Sequence, residues 1–140
     1  PALVSACGLS KPVIPVFIWS EAEEGPLAAG GATKVWLEEA LTVFKQTLLD
    51  KYESSLVLRC ADNSEQELLS IVKETGVRDV VWTALYEPHL PERDGAIERA
   101  LGRIGVRVHV EHSYLLHRPG QVSVDGVGAK GVANRTQGVR

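Results

Sequence analysis

The most conspicuous chemical grouping is His109-Val-Glu-His112, which sets two imidazoles and a carboxylate close together on the chain. A His-x-Glu can hold a zinc ion and relay its protons, as in zinc deaminases, but that chemistry also needs a Pro-Cys-x-x-Cys to complete the metal shell. The chain contains none. On a strand, His109 and Glu111 share one face while His112 takes the other, so these side chains are expected to be solvated or partner-facing, with no metal. Gly25-Pro-Leu-Ala-Ala-Gly-Gly31 invites a phosphate-loop reading. A Walker loop places Lys and then Ser or Thr after its last glycine to reach the terminal phosphates and magnesium. Ala32-Thr33 follows here instead, and the stretch lacks the Gly-x-Gly-x-x-Gly spacing, so a flexible loop is expected. Trp19 and Tyr86 could stack on a flat ligand, with Glu87 as hydrogen-bond acceptor. The competing reading puts Trp19 and Tyr86 at the rim of the core and makes Glu87 a local cap. Trp36 and Trp82 sit on inward faces and are expected in the core. Cys7 and Cys60 are far apart, in apolar settings and outside any metal-ligand spacing. They are expected to be buried, reduced thiols of a cytosolic or nuclear protein.

These groups must be held by a framework, and hydrophobic periodicity supplies it. Pro1 to Cys7 reads as a short helix with Gly8 as its stop. Val13-Ile-Pro-Val-Phe-Ile-Trp19 is nearly continuous and apolar, the pattern of a strand buried on both faces of a parallel sheet. Ser20 to Gly31 is a loop. Thr33 is the expected N-cap of a helix that carries Trp36, Leu37, Ala40, Leu41, Phe44 and Leu48 at helical spacing and ends near Asp50. Leu56 to Cys60 is a second strand. Asn63 or Ser64 caps the next helix, with Leu68, Leu69 and Val72 inward and Gly76 closing it. Asp79 to Thr83 is a third strand, followed by a loop from Ala84 to Pro88. Pro91 suits the first turn of a helix with Ile97, Leu101 and Ile104 inward, and Val106 to Val110 is the last strand. Alternating strands and helices predict parallel βαβ units with right-handed crossovers. The fold class is therefore α/β, a doubly wound parallel sheet of Rossmann type. Open sheets of this kind bind ligands outside the carboxyl ends of their strands, which here means Trp19 to Gly25 and Ala84 to Pro88.

Bulk properties narrow the function classes. The 140 residues suit one domain, and 44% hydrophobic with 24% charged is ordinary for a globular protein. The longest apolar run, Val13 to Trp19, is too short to span a bilayer, and no signal-peptide pattern opens the chain. The net charge is −3, with scattered Lys and Arg. Binding to nucleic acid by these residues alone is not expected, because phosphate neutralisation needs an electropositive face. Residues 120–140 show no apolar period and no aromatic, and are read as a disordered tail after a domain at 1–119.

Three stretches together resemble the cryptochrome/photolyase family. The first is Pro12-Val-Ile-Pro-Val-Phe-Ile-Trp19 with Ser20-Glu-Ala-Glu-Glu-Gly25 behind it. The second is Gly31-Ala-Thr-Lys-Val-Trp-Leu37 with Leu41. The third is Val80-Val-Trp-Thr-Ala-Leu-Tyr-Glu-Pro88, then Glu92-Arg-Asp94, ending in Tyr114-Leu-Leu-His-Arg-Pro119. Each motif is weakly specific, but their colinear order covers Pro1 to about Pro119. Val16-Phe-Ile-Trp19 and Glu23-Glu-Gly25 look most like the plant-type cryptochromes.

The resemblance implies the N-terminal α/β domain of a flavin-dependent blue-light receptor, or of a photolyase that repairs pyrimidine dimers. FAD and the catalytic groups would then belong to a separate flavin-binding domain, this domain's main partner alongside signalling proteins. The fragment would not be catalytic by itself. The location would be nuclear or cytoplasmic. A nucleotide-binding fold used as an interaction module is the reading outside that family. Family topology also implies that a central strand, normally before Pro1-Ala-Leu3, is absent, so that the sheet should break into two halves with exposed hydrophobic edges. Family members with an antenna pigment, a folate or a deazaflavin, hold it in the cleft against the flavin domain, which points to Trp19, Tyr86 and Glu87. Pterin-binding photolyases use a His and an Asn-Glu pair whose positions fall near Gly30 and His89-Leu90, and neither matches. Glu92-Arg-Asp94 resembles the family's helix-start signature, with a structural role for acids near a helix N-terminus.

Overall fold

The computed structural model describes residues 1–25, 28–113, 115 and 117. The tail at 120–140, with Tyr114 and Pro119 of the third motif, lies outside the described residues. Elements run α1 (Ala2–Gly8), β1 (Val16–Trp19), a 3-10 turn (Glu21–Glu23), α2 (Gly31–Tyr52), β2 (Val57–Cys60), α3 (Ser64–Thr75), β3 (Asp79–Thr83), α4 (Leu90–Arg103) and β4 (Arg107–Glu111). The α/β class and the strand–helix alternation are as the periodicity requires.

Local chemistry sets the boundaries. Asn63 Oδ1 accepts the Gln66 N–H at 2.9 Å and starts α3, and Gly76 ends it in the left-handed region at φ 67°. Pro91 occupies the first turn of α4, where its missing N–H costs nothing. Several boundaries differ from expectation. Gly8 lies inside α1, with Leu9 as its C-cap, and β4 runs Arg107–Glu111 rather than Val106 to Val110. Gly30, extended at φ −70° and ψ 170°, is the N-cap of α2, so Thr33 lies inside the helix, which runs on to Tyr52. The first strand is shorter than its apolar run and begins only at Val16, after Pro15.

The sheet is in two halves. β1 pairs in parallel with β2, Val16 opposite Val57 through Trp19 opposite Cys60. β3 pairs in parallel with β4, Asp79 opposite Arg107 through Thr83 opposite Glu111. Among the described residues these form two separate two-stranded sheets, the break expected above. The Val57 N–H donates to the Pro15 carbonyl and the Ala61 N–H to the Trp19 carbonyl. In a parallel ladder alternate residues face alternate edges, so the Val16 and Ile18 backbone groups face away from β2. By the same logic, Arg78 and Ala84 bond across to β4, and Val81 and Thr83 face the other way.

The main core lies in the second half. Val72 of α3, Ile97 and Leu101 of α4, and Val106 are buried together, with Leu68, Leu69, Val80, Trp82 and Val108 packed around them. The first half buries Leu48 and Leu56.

Several burial expectations are corrected. β1 is half-buried along its length rather than enclosed on both faces. Trp36 is 70% exposed rather than inward. Helix α2 carries two apolar stripes, and Leu37, Leu41 and Leu48 take the inner one, leaving Trp36 and Val43 outside. Ile104 is exposed because α4 ends before it and Gly105 turns the chain at φ 76°. Cys7 and Cys60 are free thiols, as expected, but exposed. α1 buries no residue, and the in–out alternation of β2 turns Leu58 and Cys60 outward.

Candidate functional site

Two groups of side chains stand at the carboxyl ends of the strands. At the first pair, β1 delivers Trp19 and the following turn delivers Glu21. With Cys60, Ala61 and Asp62 at the end of β2, they line a shallow depression of about 340 Å³. Its lining offers an indole face and two carboxylates, of which Glu21 is paired with Lys34 Nζ at 2.6 Å. Carboxylates accept hydrogen bonds from N–H and O–H donors but repel phosphate.

At the second pair, the Tyr86 hydroxyl lies 2.7 Å from His112 Nδ1, with the rings tilted and their centroids 6.1 Å apart. Tyr86 follows β3 and His112 follows β4, so the parallel pairing itself brings them together. The Tyr86 N–H donates to Glu87 Oε2 at 3.1 Å, and Glu87 is otherwise exposed. Trp19 thus stands in one group and Tyr86 with Glu87 in the other. Neither Tyr86 nor Glu87 lines the Trp19 depression.

His109 and His112 diverge, as strand alternation requires. His109 is half-buried and has a partner: its Nε2 lies 3.1 Å from Asp79 Oδ1 at the opposite end of the sheet. Asp79 also accepts from Arg107 at 2.7 and 2.8 Å and from Lys11 at 2.7 Å. Arg107 first, then Lys11 and His109, hold the Asp79 carboxyl well below the usual carboxylate range. Asp79 in turn raises Arg107. His89 is exposed at the start of α4.

Sequence reasoning missed a further cluster. Glu23 Oε1 accepts the Ser64 N–H at 2.7 Å and its Oε2 accepts the Ser64 hydroxyl at 2.5 Å. Arg93 Nη1 approaches the same carboxylate at 3.9 Å, while the Arg93 side chain donates to Asp94 Oδ1 at 3.0 and 2.8 Å. Glu92-Arg-Asp94 was visible as a motif; Glu92 lies in the first turn of α4, and Arg93 bonds Asp94. The partnership of residues 23 and 64, 41 positions apart, had no sequence signal.

A family model described as DNA photolyase matches residues 1–133. The chain belongs to the DNA photolyase family. It is 32% identical to Cryptochrome-2 of Arabidopsis thaliana over 87% of its length, and 32% identical to Cryptochrome-1 of Sinapis alba over 89%. A solved bacterial class III photolyase from Agrobacterium tumefaciens shares its fold with a TM-score of 0.77 and 34% identity over 89% of this chain. The chain spans 20% and 24% of the two cryptochromes and 25% of that photolyase. Members of this photolyase/cryptochrome family bind FAD. The depression does not fit the diphosphate of a flavin dinucleotide, because its charged lining residues are both acids and Lys34 beside it is already paired with Glu21. No helix among the described residues is long and apolar enough to cross a membrane.

Proposed function

We propose that this chain is the α/β part of a flavin-dependent blue-light receptor of the cryptochrome type, acting as the frame for a separate flavin-binding domain. The observation that carries the reading is the match to plant cryptochromes over nearly the whole chain, although the chain spans about a fifth of their length. The receptor is nuclear or cytoplasmic, and signalling proteins are its outward partners. The carboxyl ends of β1 and β3 form the edge offered to an antenna pigment. Trp19 supplies a stacking face there, Tyr86 and His112 a polar pair, and Glu87 an acceptor. A folate or deazaflavin ring presents N–H and C=O edges suited to such groups.

The test is to co-express the chain with the flavin-binding region of the matching Arabidopsis cryptochrome as a second polypeptide. Co-purification with retained blue absorption supports the frame role. Failure to associate, with circular dichroism showing a folded chain, overturns it. Adding a folate or deazaflavin to the pair then reads the antenna edge, which Trp19→Ala should weaken.

The second reading is a domain of a DNA photolyase, favoured by the class III photolyase at 34% identity. Light-dependent reversal of pyrimidine dimers in DNA by the reconstituted pair would select it over the receptor reading.

A further inference from the structure

We infer that His112 is a ligand-binding hydrogen-bond donor at the carboxyl end of β4, held by Tyr86 in the tautomer that carries its proton on Nε2. This rests on the antenna edge proposed above and names its recognition chemistry, a carbonyl oxygen on a flat ring. Tyr86 is then a positioning residue rather than a stacking face. The geometry comes from the β3–β4 ladder. The Ala84 N–H donates to the Glu111 carbonyl at 2.8 Å, which carries the pairing to the residues just before Tyr86 and His112. The Tyr86 hydroxyl then sits 2.7 Å from His112 Nδ1. The rings are tilted by 32° with centroids 6.1 Å apart, so they meet through that bond and not face to face.

A neutral imidazole has one N–H and one bare nitrogen, and the hydrogen bond made by one nitrogen decides which is which. The bare nitrogen is a stronger acceptor than a phenol oxygen, whose lone pair is delocalised into its ring, and a phenol O–H is a good donor. The bond is therefore strongest with Tyr86 donating to Nδ1, which leaves the proton on Nε2. His112 is exposed, and its Nε2 has no partner among the described residues. His109 differs, because strand alternation turns it to the other face, where Asp79 meets its Nε2. The Tyr86 amide meanwhile donates to Glu87 Oε2 at 3.1 Å. One tyrosine thus fixes a donor through its hydroxyl and an acceptor through its amide. A ring with neighbouring C=O and N–H groups, as in a folate or a deazaflavin, answers both.

Nitrogen NMR of the histidine rings in the full chain, assigned with His112→Gln, reads the tautomer at about pH 8, above the ordinary histidine range. His112 should carry its proton on Nε2, and Tyr86→Phe should remove the hydrogen-bond shift at Nδ1. A proton on Nδ1 would overturn the proposal, whatever binds. Fluorescence titration with 5-deazariboflavin then reads the ligand. His112→Ala should weaken binding roughly tenfold, the scale of one hydrogen bond. His112→Gln, which keeps an N–H donor, should restore most of it, and Tyr86→Phe should fall between His112→Ala and the wild type. Binding that Trp19→Ala weakens and His112→Ala leaves unchanged would overturn the role of His112 while keeping the antenna edge. No binding by the wild type, with circular dichroism showing a folded chain, would remove both.

Discussion

The β3–β4 half closes around Leu101, which is fully buried, whereas the β1–β2 half leaves a 22-residue helix with Leu48 as its one fully covered side chain. Both halves are parallel pairs joined by a crossover helix, so secondary structure is not what separates them. The difference is the number of layers. In the second half, α3 and α4 pack against each other and onto the sheet, so each apolar side chain meets partners from two directions. In the first half, α3 reaches β1, and α2 leaves a stripe with Trp36 and Val43 facing solvent. A strand pair becomes a core when both its apolar neighbours and their neighbours are covered, since stabilisation scales with the area removed from water.

That contrast can be tested by substitution. The largest effect should come from Leu101→Ala, which opens a cavity in the second core and should cost about 2–5 kcal/mol. Leu58→Ala, at a side chain that is 47% exposed, should cost much less, as thermal or denaturant unfolding would show. Similar costs at the two sites would break the comparison.

Asp79→Asn should come next, because it removes the negative charge, and one of the two acceptor oxygens, that Arg107, Lys11 and His109 share. The carboxyl is held ionised well below its usual range, so the folded state binds fewer protons there than the unfolded state. Its stabilisation is full above the ordinary carboxylate value and is lost as pH falls below about 4. The melting temperature of the wild type should therefore drop more steeply in acid than that of Asp79→Asn. Parallel acid limbs would show that Asp79 does not contribute. Asn63→Ala should cost about 1 kcal/mol through the lost α3 cap, seen as a small shift in the same transition. The smallest effect is expected at Trp36→Gln, within about 0.5 kcal/mol, with reduced binding of an apolar dye. A large loss there would mean that the outer stripe of α2 is already covered.

Much of the fold was legible. The span of β3, the caps of α3, Pro91 at the start of α4 and the inward set Leu68, Leu69, Val72, Ile97 and Leu101 all follow from period and capping chemistry. Trp36 and Ile104 were misread because periodicity identifies an apolar stripe without showing whether another layer covers it. Cys60 was misread for a related reason: a strand flanked by apolar residues is buried on a face only where a helix lies over it. The candidate site was legible in part. Trp19, Tyr86 and Glu87 do stand at the carboxyl ends, but Tyr86 found His112, and Trp19 stands apart with Cys60 and Asp62.

The order of residues alone determined the α/β alternation, the parallel pairing it forces and the motif series that marks the family, because these depend on local periodicity and on colinear spacing. The tertiary structure decided which groups meet. Asp79 gathers cations from positions 11, 107 and 109, and Glu23 crosses to Ser64 and Arg93. Such contacts arise when crossovers bring distant strand ends side by side, and charges there settle where burial makes a partner necessary. A linear pattern cannot express that, since the partners share neither period nor spacing.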